Sequence, residues 1–270
     1  MEDLYIILAL GLVAMIAGFI DAIAGGGGLI TLPALLLAGI PPVSAIATNK
    51  LQAAAATFSA TVSFARKGLI DWKKSLPIAA ASFAGGVVGA LSVSLVSKDI
   101  LLAVVPVLLI FVALYFVFSP KLDGSKEGKA RMSFFLFGLT VAPLLGFYDG
   151  VFGPGVGSFF LIAFIVLLGC KLLNAMSYTK LANVACNLGS LSVFLLHGSI
   201  IFPIVATMAV GAFVGANLGA RFAVRFGSKL IKPLLIVISI SMAVKLLIDE
   251  RNPLYQDVLN PFRRLLQNIG

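Results

Sequence analysis

The sequence predicts an all-α polytopic membrane protein of two inverted-topology repeats, with eight to ten membrane elements, some of them glycine-broken or re-entrant. Three observations lead there. First, 60% of the 270 residues are hydrophobic and 11% charged, with mean hydropathy +1.09, more apolar surface than a soluble domain of this size can bury. Second, uncharged runs cover residues 4–20, 22–49, 75–96, 100–120, 132–148, 150–170 and 198–220, and several exceed the roughly 20 residues a spanning helix needs. They lack the alternation of an outer-membrane barrel. Third, the chain repeats itself. Gly18-Phe-Ile-Asp21-Ala-Ile-Ala-Gly25-Gly26-Gly27-Gly28 returns as Gly146-Phe-Tyr148-Asp149-Gly150-Val-Phe-Gly153-Pro154-Gly155-Val-Gly157-Ser158, with Asp149 128 positions after Asp21. Apolar segments broken at matching places in two halves point to a transporter's binding site.

From the N-terminus, Met1-Glu2-Asp3 is acidic where a secretory signal is basic, so the first run is expected to be a retained helix. The glycine cluster after Asp21 should unwind the backbone inside lipid. The arm at 29–40 spans only about 18 Å as helix. It is either a short crossing or the return of a re-entrant hairpin, as is its counterpart at 156–168. Further correspondences keep an offset between 126 and 130: Lys50 with Lys180, Gly68 with Gly198, Pro77 with Pro203, Gly85 and Gly89 with Gly211 and Gly215, Pro106 with Pro233. Such constancy indicates duplication. The expected division is a first repeat at 1–118, a basic linker at 119–132, a second repeat at 133–248 and an amphipathic tail at 249–270.

Charge relates the halves. Arg66, Lys67, Lys73 and Lys74 crowd one loop; Lys121, Lys126, Lys129 and Arg131 the linker; Arg221, Arg225, Lys229 and Lys232 a third stretch. The positive-inside rule makes these cytoplasmic. Their counterparts in the other half, near His197 and near Lys98-Asp99, carry little charge. Equivalent loops therefore face opposite sides, which defines an inverted repeat. The net charge of +9 reports these loops and not a nucleic-acid partner.

Lys50 lies about 12 Å inside a helix starting at Pro42, and Lys180 similarly deep from the other face. A buried ammonium costs several kcal/mol without a partner or water; a duplicated pair points to function. Asp21 and Asp149 are counter-ions of these lysines, helix caps after the breaks, or proton carriers; sequence leaves the three open. Unwound backbone followed by helix starts near Gly26, Gly27 and Gly28, and near Gly155, Gly157 and Ser158, points N–H groups and positive dipole ends inward. Thr31, Thr48, Asn49, Gln52, Tyr178, Thr179, Asn183 and Asn187 supply a polar lining. The expected substrate site is thus Lys50, Lys180, Thr48, Asn49, Gln52, Tyr178, Thr179, Asn183, Gly26, Gly27, Gly28, Gly155, Gly157 and Ser158. Cys170 and Cys186 read as packing residues, Gly85-xxx-Gly89 and Gly211-xxx-Gly215-xxx-Gly219 as helix-packing faces, Trp72 as an interfacial anchor and His197 as a loop residue. No metal or cofactor is implied.

The motifs at 18–33, Ala45-x-x-Thr48-Asn49-Lys50, 146–158 and Tyr178-Thr179-Lys180 together resemble the TauE/SafE family of sulfite and organosulfur exporters. The resemblance implies a carrier in the inner membrane of a bacterium or archaeon, acting on a small sulfur-containing anion such as sulfite, a sulfonate or sulfoacetate. An anion agrees with the two lysines and the helix N-termini. Expelling one negative charge from a negative interior is downhill by about 2.3 kcal/mol per 100 mV, whereas import needs protons or another driving ion. The alternatives are a passive anion channel on the same repeat and an intramembrane aspartyl protease. The latter lacks its Gly-x-Gly-Asp motif and leaves the paired lysines unexplained. The expected partners are the lipid bilayer and the small anion, and a homo-oligomer is compatible with the sequence.

Overall fold

The computed structural model describes residues 2–93, 95–118, 128–196, 200–226 and 231–256. Every extended regular element among them is a helix: α1 Glu2–Ala24, α2 Gly28–Leu37, α3 Pro42–Arg66, α4 Trp72–Val93, α5 Lys98–Phe118, α6 Phe134–Leu139, α7 Val141–Val151, α8 Val156–Val166, α9 Leu172–Leu196, α10 Phe202–Phe226 and α11 Ile231–Leu247. The all-α membrane reading therefore holds, with six helical stretches among the described residues long and apolar enough to cross a bilayer. The linker residues 119–127, His197 and the tail residues 257–270 lie outside the described residues.

Local sequence explains the boundaries. Pro42 opens the first turn of α3, where its missing N–H costs nothing. Ser133 caps α6, its Oγ accepting from Leu136 N at 3.1 Å. α3 spans 25 residues, yet carries Thr48, Asn49, Lys50, Gln52, Thr57, Ser59 and Thr61, too polar to face lipid. All of these are buried, because α3 lies between α9 and α10.

The helices pair across the chain. α1 packs on α10 and α7 on α4; α3 packs on α9 and α10, and α9 on α3 and α4. The small residues singled out by sequence make these seams. A Cβ at Gly85 or Gly89 would run into the backbone of α7, and one at Gly211, Gly215 or Gly219 into that of α1. Close backbone approach through glycine drives such packing in lipid, where burial of apolar surface cannot.

Hydrogen bonds fix which helix ends share a side. Ser177, near the start of α9, donates to Leu69 O just beyond α3 at 2.7 Å. Gly128 N donates to Gly169 O at 3.0 Å, and Arg131 N and Met132 N to Leu167 O at 2.8 and 3.0 Å. The 67–71 loop, the end of the linker and the α8–α9 turn therefore sit at one end of the molecule, the basic end. At the opposite end Arg251 Nη2 donates to Leu37 O at 3.4 Å, and Asn252 Nδ2 to Leu102 O at 3.1 Å. Beside Asp249 at that end, the hydrogen-bonded Arg251 guanidinium holds the carboxyl below the usual carboxylate range.

These contacts answer the question the sequence left open. The segment α6 to α8 leaves the basic end and returns to it, so α8 is the arm of a re-entrant hairpin. α2 ends at the opposite end, beside the start of α5 and the end of α11. α1 runs parallel to α10, Gly11 facing Thr207 and Phe19 facing Gly219, so it starts at that opposite end as well. α2 and α8, with 10 and 11 residues, rise about 15–17 Å, half the roughly 30 Å hydrocarbon core.

Candidate functional site

The two hairpins meet at their glycine breaks. Gly25 has φ +78° and Gly153 φ +93°, a left-handed backbone that costs an L-residue about 1–2 kcal/mol. Gly25 O accepts from Ser158 N at 3.1 Å, and a Cβ on Gly25 would stand 2.6 Å from that nitrogen and nearer still to the Gly157 backbone. A Cβ on Gly153 would stand 2.6 Å from Lys50 Nζ and 2.9 Å from Asp149 Oδ1. Gly26, Gly27, Gly155, Gly157 and Ser158 are buried in this junction, with Gly28 at its margin.

The lysines are pinned there by carboxylates from the other hairpin. Lys50 on α3, with no exposure, pairs with Asp149 Oδ1 of α7 at 2.8 Å and donates to the carbonyl of Asp149. Lys180 on α9, 2% exposed, pairs with Asp21 Oδ2 of α1 at 3.0 Å and donates to the carbonyl of Asp21. Of the three roles open for the aspartates, counter-ion is the geometry observed. Each ammonium has a carboxylate partner because an isolated charge at this depth is too costly, so the four groups together carry no net charge.

The capping role differs between the breaks. Asp21 Oδ1 accepts from Gly27 N at 3.1 Å, so both its oxygens are used. Asp149 Oδ2 is buried without a hydrogen-bond partner. The cause is in the sequence. Pro154 stands where the first break has Gly26, and Gly155 takes φ +82° where Gly27 has φ −56°. Tyr148 braces the second break by donating to Pro154 O at 2.7 Å. The Cys186 thiol of α9 lies beside the Asp149 carboxylate and donates to Asn183 O at 3.2 Å.

Around these pairs the expected lining is buried on two helix faces. Asn49 Oδ1 accepts from Thr31 Oγ1 at 2.5 Å, tying α2 to α3. Asn183 Nδ2 lies 3.0 Å from where a Cβ of Gly157 would be, and Asn187 Nδ2 donates to Asn183 O at 2.8 Å. Thr48 Oγ1, Gln52 Oε1, Thr179 Oγ1 and Asn187 Oδ1 have no partner. A buried unpaired polar atom costs about 1–3 kcal/mol. All four lie on α3 and α9, the helices that carry the two lysines. Tyr178 differs from expectation. Its ring packs against Phe134 and Phe164, toward the basic end, because an aromatic cluster between α6, α8 and α9 takes it. Gly25, Gly153 and Cys186 escaped the sequence reading of the site. The first two were marked by recurring four positions after each aspartate; Cys186 had no such signal. Among the described residues no group of three His, Cys, Asp or Glu side chains is placed to hold a metal ion.

Comparison with known proteins bears on what this arrangement belongs to. Residues 10–246 match the family model described as sulfite exporter TauE/SafE. A probable membrane transporter protein, ORF9, of Sinorhizobium sp is 48% identical over 256 residues, 94% of this chain and 98% of that protein. The probable membrane transporter protein YfcA of Escherichia coli K12 is 43% identical over 248 residues, 92% of this chain and 91% of that protein. A more distant relative in Bacillus subtilis, the probable membrane transporter protein YdhB, is 25% identical over 212 residues, 76% of this chain and 84% of that protein. No solved structure matches. The relatives are named as transporters, not as enzymes, and the match spans both hairpins and every helix between them: the chain belongs to the TauE/SafE sulfite exporter family and is a multi-pass membrane transporter.

Proposed function

We propose that this transporter is a secondary carrier that exports a small sulfur-containing anion, such as sulfite, a sulfonate or sulfoacetate, across the cytoplasmic membrane of its cell. Two inverted repeats, residues 1–118 and 133–248, rock about a shared site formed by both glycine breaks and by Lys50 and Lys180. The observation that carries the reading is the reciprocal pairing of Lys50 with Asp149 and Lys180 with Asp21. Each repeat supplies the lysine for the other's aspartate, so relative motion of the repeats acts directly on the charged centre. The antiparallel placement of α3 and α9, joined end to start by Ser177 and Leu69, supports inversion. The family description supports the sulfur anion.

Two measurements test this. In proteoliposomes, radiolabelled sulfite should enter against its own gradient when the lumen is preloaded with unlabelled sulfite, and initial rates should saturate. A linear, non-saturating flux without counterflow would establish the channel instead. For orientation, a membrane-impermeant maleimide should label Asp99→Cys on intact cells and Lys73→Cys only after permeabilisation, in a Cys170→Ser background. Both positions are exposed. Labelling of both from the same side would overturn the inverted arrangement.

A further inference from the structure

A site for an anion needs a positive charge to spend, and this one, as folded, has none: two ammonium groups face two carboxylates. Bringing in an anion with both pairs closed would leave a net negative charge buried, which costs several kcal/mol. Either a carboxylate must leave its lysine or one must be neutralised. The structure distinguishes the two aspartates for this purpose. Asp21 uses Oδ1 on the Gly27 N–H and Oδ2 on Lys180, so neutralising it would weaken the hydrogen bond that holds the first break. Asp149 gives Oδ1 to Lys50, and its Oδ2 is buried with no nitrogen or oxygen donor on it, the Cys186 thiol being the one further polar group beside the carboxylate. Lys50 is held to Asp149 by the backbone carbonyl as well as by the carboxylate, so it keeps its place when the side chain is neutral.

We propose that the anion and a proton occupy this site together, the proton on Asp149 Oδ2. The proton comes from solution, no covalent bond of the substrate changes, and with a singly charged anion the bound complex carries the same net charge as the empty one. The inference rests on the anion-carrier reading above. The groups that face Asp149 are few: Lys50 from α3, Cys186 from α9 and, at longer range, Asp21 from α1. Tyr148 is its neighbour on α7, with the hydroxyl already committed to Pro154 O. Lys180 is engaged by Asp21. α6 and α8 carry no titratable side chain, and α4 carries only Lys73 and Lys74 in its first turn at the basic end. Among the described residues nothing else at this depth competes for the proton. Transport is then electroneutral for a singly charged anion, and net direction follows the product of anion and proton concentrations on the two sides.

The test is the proton count of binding on the purified full chain. Titration calorimetry with sulfite, and with methanesulfonate, whose single charge does not change with pH, is run in buffers of different ionisation enthalpy. The expected result is about one proton taken up per methanesulfonate bound, with affinity falling about tenfold per pH unit where Asp149 is ionised in the empty protein. Asp149→Asn should bind with no proton uptake and a flat pH profile. Methanesulfonate binding without proton exchange in the wild type, or continued uptake in Asp149→Asn, overturns the proposal and leaves the carrier standing. Failure of both anions to bind at any pH overturns the carrier reading and this one with it. If Asp149→Asn does not fold, Cys186→Ser replaces it. A hydroxyl in place of the thiol beside the Asp149 carboxylate is the stronger donor and favours the ionised form, so the pH profile should move to lower pH, and an unmoved profile overturns the assignment to Asp149.

Discussion

Replacing Lys50 by alanine is expected to lower sulfite flux in proteoliposomes by at least about thirtyfold, the equivalent of about 2 kcal/mol for losing a desolvated charged partner. The same substitution leaves Asp149 a buried carboxylate without its cation, a loss of about 3–5 kcal/mol of stability, read as a lower thermal midpoint in detergent. The two effects are separable. Lys50→Met with Asp149→Asn removes both charges, so stability should recover while flux stays low. Recovery of flux along with stability would reduce the pair to a packing device. Normal flux in Lys50→Ala would refute the site. Lys180→Ala with Asp21→Asn should behave in parallel, with a smaller recovery, since the amide oxygen introduced there must still accept the Gly27 N–H that Asp21 Oδ1 takes at 3.1 Å.

Gly25→Ala is expected to be the most damaging of the glycine substitutions. Its left-handed backbone costs about 1–2 kcal/mol, and the new Cβ would strike the backbone of Gly157 and Ser158 in the other hairpin. Backbone cannot rotate away as a side-chain end can. The hairpins must then separate, and the Ser158 N to Gly25 O bond is lost. Flux should disappear and the thermal midpoint should fall by more than the backbone term alone, about 4–8 °C per kcal/mol at most for a small domain and less for a chain of this length. Gly68→Ala provides the comparison: its φ is +65°, but a Cβ there meets nothing within 4 Å. It should cost only the backbone term and leave flux intact. Equal damage at the two positions would mean that contact between the breaks is not what matters.

Much of this was written in local pattern. Composition and run length required lipid-embedded helices. The four glycines after Asp21 and the Gly-Pro-Gly that begins at Gly153 required broken ones, and the small-residue spacing at Gly85, Gly89, Gly211 and Gly215 marked the helix seams. The membership of Lys50, Lys180, Asp21 and Asp149 in one centre was legible too, because a duplicated ionisable residue inside an apolar run has few other uses. Tyr178 was misplaced since sequence adjacency to Lys180 says nothing about which way a helical side chain points. Cys186 was passed over because a lone thiol in apolar sequence carries no signal until a neighbour is known.

The solvent of this protein, its helices, the places where they break and the doubled set of charges each follow from residues close along the chain. Long-range packing makes both arms re-enter, gives each lysine the aspartate of the opposite hairpin, and leaves Asp21 with both oxygens bonded while Asp149 Oδ2 has no nitrogen or oxygen donor. Those outcomes depend on which atoms distant in sequence come within about 3 Å of one another, and no periodicity along a chain encodes that distance.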